Sequence, residues 1–169
     1  MDDAERLIAA FRTRGTASVR SKLDTLVKLV RLRDPRILPF LVEVLADQRE
    51  SSAVRNEVLK QLRCLRVTHG RRPAVAKAIL QVLADRSRPE VRMHAAQVLG
   101  EFTDMDTVPT TLASLALDRS EPIDIRYLAF TSLQRAGPTL ECVALLRQLS
   151  TDETLGSAAS NLLSLWRVE

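Results

Sequence analysis

The chain has 169 residues, of which 46% are hydrophobic and 27% are charged, and its formal net charge at pH 7 is +4. This composition is typical of a soluble folded domain and excludes a chain that is disordered throughout. No apolar run approaches the roughly 20 residues of a membrane-spanning helix, and the start, MDDAERLIAA, does not have the basic and apolar regions of a secretory signal.

The repeated pattern of the chain predicts five units in chain order, each with a first helix, a short turn carrying an aspartate, and a second helix. The second helix opens on an apolar residue followed by arginine, and these pairs are spaced 35, 37 and 34 residues apart. The pairs are Val19-Arg20, Val54-Arg55, Val91-Arg92 and Ile125-Arg126, with Leu155-Gly156 as a degraded fifth copy. The units cover approximately residues 2–32, 34–66, 71–102, 104–137 and 138–168.

Helical spacing supports this division. Apolar or small residues follow each pair four and eight positions after its first member, as Ala95 and Leu99 follow Val91, which places one apolar stripe on each second helix. The first helices end near an aspartate, most clearly in RILPFLVEVLAD, PAVAKAILQVLAD and TVPTTLASLALD. Glycines fall between predicted helices, where a left-handed residue after a helix end is expected, at Gly15, Gly70, Gly100 and Gly137. Gly156 is the exception, inside a predicted helix.

No segment alternates with a period of two between turn residues, so no strand is predicted. One helix pair cannot bury its own apolar faces, but stacked pairs bury them against each other. We therefore predict an all-α solenoid of about five antiparallel helix pairs that forms a single domain over residues 1–169.

The third and fourth units show a resemblance to a known family. The stretch DRSRPEVRMHAAQVLGEFTDMDTVPTTLASL resembles the HEAT-like repeat, in particular the variety named after phycobilisome lyases. The resemblance covers nearly the whole chain, is weakest in the fifth unit, and implies a right-handed α-α superhelix.

The resemblance also implies a structural ladder, because the arginine of each apolar-arginine pair in such repeats meets a turn aspartate. Carried over, it pairs Arg55 with Asp47, Arg92 with Asp85 and Arg126 with Asp118, or with the equivalent aspartates of neighbouring repeats. Arg20 joins this ladder without an obvious partner in its own unit.

Residues for catalysis are scarce. The two histidines, His69 and His94, exclude a histidine-rich metal cage, and neither is followed by the glutamate found in iron hydroxylases that are built on such repeats. Cys64 and Cys142 are far apart and have no Cys-x-x-Cys spacing, which favours free thiols in a reducing cytoplasm over a disulfide. We expect no catalytic residue, metal or cofactor, while a bilin-lyase-like or chaperone-like role for a cofactor protein stays open because of the resemblance.

Charge is unevenly distributed. Residues 1–88 hold 19 lysines and arginines against 10 acidic residues, whereas residues 89–169 hold 6 against 11. A basic half is typical of a protein that meets an acidic partner or a nucleic-acid backbone, although an arginine-rich genome gives the same excess. The arginines near predicted turns are Arg31, Arg33, Arg36, Arg63, Arg66, Arg71 and Arg72.

Solenoids of this type generally bind along the groove that their second helices line. A rotation of 100° per residue places a ridge of side chains opposite the apolar stripe. The predicted partner-binding residues of this ridge are Lys28, Asn56, Lys60, Arg63, Met93, Gln97, Tyr127 and Thr131. The sequence therefore predicts a cytoplasmic, non-enzymatic adaptor, scaffold or assembly factor that binds a protein, with nucleic-acid backbone binding as the alternative.

Overall fold

The computed structural model describes residues 2–13 and 18–168, and within these ranges the chain forms ten α-helices and no strand. Gly15, which the sequence places between the first two helices, lies outside the described residues. The helices are α1 (Asp3–Thr13), α2 (Val19–Arg31), α3 (Ile37–Ala46), α4 (Ser52–Cys64), α5 (Arg72–Ala84), α6 (Pro89–Leu99), α7 (Thr107–Leu117), α8 (Ile123–Leu133), α9 (Leu140–Leu149) and α10 (Gly156–Leu165). The predicted all-α fold of about five helix pairs is confirmed.

Short polar side chains and prolines define where helices begin. The Oγ of Ser51 accepts a hydrogen bond from the N–H of Val54 at the start of α4, and Thr139 caps α9 through the N–H of Cys142. Such caps satisfy N–H groups that have no partner inside the helix. Pro89 is the first residue of α6. A backbone N–H at this position would have no partner within the helix, so proline, which has no N–H, fits here.

The glycines depart from the prediction of left-handed residues at helix ends. Of the glycines described, Gly137 alone has a positive φ, 76°. Gly70 lies in the short 3-10 helix His69–Arg71, and Gly100 opens another one, Gly100–Phe102. A Cβ at Gly100 would lie 3.2 Å from the Cβ of Ser132, so close approach of α8 explains the glycine there.

Gly156 belongs to a helix as predicted, and it is the first residue of α10. A Cβ at this position would lie 2.6 Å from the carbonyl oxygen of Ser150, a backbone atom that cannot move aside easily. The turn before α10 therefore has no space for a side chain here, which explains why the fifth unit has glycine where the other units have arginine.

The chain divides into two compact units, Met1–His94 and Ala95–Glu169. In the first unit, α1 packs against α2 and α3 against α4, while α2 lies beside α4 and α3 lies beside α5. Leucines from these helices are fully buried, and each contributes about 1.5–3 kcal/mol to stability through removal from water. They include Leu26, Leu29, Leu41, Leu45, Leu59 and Leu62.

The second unit repeats this arrangement. In it α7 packs against α8 and α9 against α10, and α7 also lies beside α9. Its core contains Phe102, Leu112, Phe130 and Leu149. First helices therefore neighbour first helices in both units, and the second helices keep one face outward.

Candidate functional site

Three arginines of the predicted ladder connect the two helices of their own pair. In each case the Nε donates to a carbonyl oxygen in the last turn of the first helix: Arg55 to Leu45 at 3.0 Å, Arg92 to Leu83 at 2.7 Å and Arg126 to Ala116 at 3.0 Å. The last carbonyls of a helix have no partner within it and carry the negative end of the helix dipole, so a buried guanidinium stabilises them. The repeated sequence pattern does not predict this contact.

The aspartates at the ends of the first helices build the turn that follows. Each Oδ1 accepts a hydrogen bond from the N–H two residues later: Asp47 from Arg49 (2.9 Å), Asp85 from Ser87 (3.0 Å), Asp118 from Ser120 (2.9 Å) and Asp152 from Thr154 (3.0 Å). This Asx turn explains why aspartate recurs at these positions, whether or not an arginine is nearby.

Arg126 and Asp152 form a buried ion pair in the second unit. The Nη2 of Arg126 lies 2.6 Å from the Oδ2 of Asp152, and their side chains are 7% and 8% exposed. The Leu155 N–H, together with the Arg126 side chain and the Thr154 N–H, lowers the pKa of Asp152 to about 2 against the opposing effect of burial. Arg126 thus pairs with Asp152, the aspartate of the following repeat, which is the equivalent of Asp118 in its own repeat.

In the first unit, the charge of Arg55 acts on the aspartate of the following repeat. Burial lowers the pKa of Arg55, and among the carboxylates Asp85 of the following repeat opposes this shift more strongly than Asp47 does. The pKa of Asp85 is itself lowered, first by its hydrogen bonds from Ser87 and then by the charge of Arg55. The favoured carboxylate is therefore that of the next repeat along the chain.

The first repeat differs from the predicted ladder. Arg20 is exposed, which corrects its assignment to the ladder, because no aspartate-ended first helix precedes it. Lys22 takes the inward position, with its Nζ 2.6 Å from the Oε2 of Glu50 and side-chain exposures of 16% and 9%. The repeated spacing of Asp47 to Glu50 and Asp118 to Glu121 is the sequence signal that could have indicated the buried glutamate.

The predicted partner-binding residues of the first unit lie on second helices. Asn56, Lys60 and Arg63 follow one another along one face of α4, and Lys28 belongs to α2, which packs beside α4. Lys28, Lys60 and Arg63 are exposed, while Asn56 and Met93 are half-buried. The Oδ1 of Asn56 is buried and has no hydrogen-bond partner in the described part of the chain.

The predicted residues of the second unit differ in how far they are exposed. Gln97 is exposed, Tyr127 is 53% exposed, and Thr131 is half-buried with its Oγ1 donating to the carbonyl of Leu128 at 3.1 Å. Ile123, which is not among the residues predicted from the sequence, lies four residues before Tyr127 on α8 and is 45% exposed. The sequence feature that could have identified Ile123 is its position as an apolar residue outside the stripe formed by Ile125, Ala129 and Leu133.

Groups that could carry chemistry are dispersed. Across residues 2–13 and 18–168, no cluster of three or more histidine, cysteine, aspartate or glutamate side chains could hold a metal ion. Both cysteines are free, with Cys64 exposed and Cys142 buried. The described helices include none that is long and apolar enough to cross a membrane.

Comparison with known proteins agrees with this geometry. The family model of HEAT repeats matches residues 38–133, which is more than half of the chain. The match indicates no catalytic family. Among the curated proteins, none matches this sequence.

Proposed function

Because the chain belongs to the HEAT repeat family, we propose that it is a non-enzymatic protein-binding scaffold, adaptor or assembly factor. HEAT repeats generally mediate protein–protein interaction, which supports this class of function. The contact surface in this proposal is the outward face of the second helices, and each compact unit contributes its own set of residues.

The exposed apolar pair on α8 is the observation that carries the proposal. Ile123 and Tyr127 are four residues apart, so they lie on one helix face, and about half of each side chain is exposed. The neighbouring residues Ile125, Arg126 and Ala129 are buried, so the helix is anchored while this pair faces solvent. Tyrosine is enriched in interface hot spots because it combines a large apolar surface with a hydroxyl group.

In the first unit the corresponding face of the second helices is cationic. Lys28 and Lys60 are exposed on neighbouring helices α2 and α4. Among the described residues Lys60 forms one ion pair, a long one in which its Nζ lies 3.7 Å from the Oε2 of Glu57. Opposite charge across an interface accelerates association and selects the partner. The proposed partner therefore carries an acidic segment that meets this face.

The apolar pair is tested by substitution in the second unit. Tyr127→Ala and Ile123→Ser should each weaken binding to the native partner at least about tenfold while leaving the melting temperature within about 2 °C, because neither side chain belongs to the core. Leu140→Ser is the matched control, since Leu140 is 90% exposed in the same unit but belongs to a first helix. Equal weakening by all three variants, or by none, contradicts the proposal.

The cationic face is tested separately. Lys60→Glu should slow association with the partner and reduce its salt dependence, whereas Lys77→Glu should not, because Lys77 is an exposed lysine on the first helix α5. Stopped-flow association at two salt concentrations distinguishes the variants. Identical rates for Lys60→Glu and the wild type would remove α4 from the contact surface.

Two other functions are secondary candidates. The basic excess of residues 1–88 supports nucleic-acid backbone binding, for which a gel shift that weakens steeply with salt is the expected result and no shift at low salt is the contrary one. The phycobilisome-lyase variety of the repeat would support a bilin-lyase-like or chaperone-like role, and an absorbance change on mixing with a bilin tests it. The proposed location for all three functions is the cytoplasm.

A further inference from the structure

A groove in the first unit lies at the ends of α2 and α4, and it shares no residue with the predicted partner-binding set. Its volume is about 1130 Å³, above the range of about 300–1,000 Å³ that is usual for small-molecule sites. Its walls are the end of α2, the turn and first residues of α3, and the segment that links α4 to α5. The lining residues fall in two stretches, 30–38 and 64–71.

The rim of the groove is positively charged. Four arginines line it, Arg31, Arg33, Arg66 and Arg71, and all four are exposed. Asp34 is the one acidic residue among the described residues that line it. The hydrogen bonds of Asp34 from Arg36 lower its pKa to about 2, so this carboxylate is ionised and is paired with a guanidinium that Asp2 and Glu5 share.

The floor of the groove is aliphatic. Ile37 is buried, and Val30, Leu38, Leu65 and Val67 are half-buried, so each presents part of its side chain to the groove. The described lining residues include no aromatic side chain. Proteins that hold single-stranded nucleic acid combine positive charge with aromatic rings for base stacking, and an aliphatic floor instead suits an aliphatic side chain.

One of the rim arginines has an unusual backbone conformation. Arg33 has a φ of 54°, in the left-handed region that favours glycine, and it lies two residues after the last residue of α2. A glycine at this position would relieve the backbone, so the arginine is a costly choice for the fold alone. Arg167 has the same conformation, with a φ of 55°, after the end of α10, so this backbone conformation terminates a helix at both arginines.

We propose that this groove binds an extended acidic peptide segment in which a large aliphatic side chain stands between carboxylates. The aliphatic side chain lies on the floor formed by Val30, Leu38 and Val67, and the carboxylates meet Arg31, Arg33 and Arg66. This site is separate from the outward face of the second helices and does not depend on it.

Cys64 provides a reporter inside the groove. It is exposed and lines the groove, whereas Cys142 is buried, so an uncharged alkylating reagent reacts first at Cys64. The probe is a fluorescein-labelled eight-residue peptide, Asp-Asp-Ile-Asp-Asp-Ile-Asp-Asp, studied by anisotropy with the full chain. Saturable binding is expected, together with at least about threefold slower alkylation of Cys64 by iodoacetamide at saturation.

Variants separate the groove from general electrostatics. The double variant Arg33→Gly, Arg66→Glu should weaken peptide binding at least about tenfold without lowering the melting temperature, since glycine suits the backbone at position 33. Should the double variant fail to fold, Arg33→Gly alone should weaken binding at least about twofold. Arg49→Glu is the control, because Arg49 is 97% exposed in the same unit and lies outside the lining.

Several outcomes would overturn the proposal. The first is binding of the peptide without protection of Cys64, and the second is equal weakening by Arg49→Glu. A third is equal affinity for a peptide with alanine in place of both isoleucines, because the floor would then be unused. Weakening by Lys60→Glu but not by the groove variants would support the face of α4 and contradict the groove. The last outcome concerns nucleic acid. If a single-stranded DNA 20-mer binds and the peptide does not, and if the groove variants weaken the binding of the DNA, the groove would be assigned to nucleic acid.

Discussion

At the scale of residues, the buried arginines combine two contacts that the sequence shows only in part. Arg126 donates through its Nε to the end of α7 and through its Nη2 to Asp152. A buried charge that loses its partner is costly, whereas the pair as a whole contributes less. Arg126 therefore connects two neighbouring repeats within the second unit.

Asp152→Asn tests the second of these contacts. The substitution retains an oxygen for the N–H groups of Thr154 and Leu155 but removes the charge that faces Arg126. We expect a loss of about 3 kcal/mol in the free energy of unfolding at pH 7, measured by urea denaturation. Glu153→Gln, at an exposed neighbouring position, should change this value by less than about 0.5 kcal/mol. If Asp152→Asn also changed the free energy of unfolding by less than about 0.5 kcal/mol, a structural role for the ion pair would be contradicted.

The same carboxylate predicts a dependence of stability on pH. The pKa of Asp152 is lowered from 3.8 to about 2, so its contribution is present above about pH 4 and is lost as the pH falls towards 2. The wild-type protein should therefore lose more stability than Asp152→Asn does between pH 5 and pH 2. Parallel melting temperatures of the two proteins over this range would contradict the assignment.

Gly156 was identified from the sequence as an anomaly, but its reason is spatial. The pattern showed that glycine stands where arginine is expected, and only the structure shows the carbonyl of Ser150 in the place of a side chain. Gly156→Ala should destabilise the protein by about 1–3 kcal/mol in thermal or urea unfolding, the usual cost of forcing an extra group into a filled space. Gly70→Ala should be neutral within about 0.5 kcal/mol, because no described neighbour lies within 4 Å of the position that its Cβ would take.

At the scale of elements, the number, order and type of helices could be predicted because the apolar stripes repeat with helical spacing. The predicted second helices opening at Val54, Val91 and Ile125 correspond to α4, α6 and α8. The contacts of the ladder could not be predicted in full, since the pattern places Arg55 after Asp47 but does not say which carbonyl or carboxylate it reaches. The exposed Ile123 was missed because a stripe defined by buried positions does not identify apolar residues beside it.

Arg55→Lys tests the contact between the two helices of a pair. Lysine keeps the positive charge but has no Nε–H to donate to the carbonyl of Leu45 at the end of α3. We expect a loss of about 1–3 kcal/mol in the free energy of unfolding. Arg49→Lys, at a 97% exposed side chain, is the matched control and should be silent. Equal stabilities of the two variants would mean that the helix-end contact contributes nothing.

At the scale of the whole molecule, the repeat runs through the boundary between the two compact units. That boundary falls within α6, between His94 and Ala95. The single domain over residues 1–169 stays a prediction from the sequence. Stability in stacked repeats is a sum of repeat and neighbour contributions, so cooperativity depends on the coupling between them.

Unfolding followed by two probes tests this prediction. Trp166 is the one tryptophan of the sequence and belongs to the second unit, so its fluorescence reports on that unit, whereas far-ultraviolet circular dichroism reports on all helices. For a single cooperative domain the two urea transitions should coincide in midpoint and slope. Separate midpoints would show that residues 1–94 and 95–169 unfold independently.

The central functional claim is that the second helices present a protein-binding face. Photo-crosslinking in the native cell tests it most directly, with benzoylphenylalanine placed at Tyr127, Lys60, Leu140 and Lys77 in turn. We expect adducts with one and the same protein from Tyr127 and Lys60 and none from Leu140 and Lys77. Adducts confined to Leu140 or Lys77, on the first helices, would contradict it.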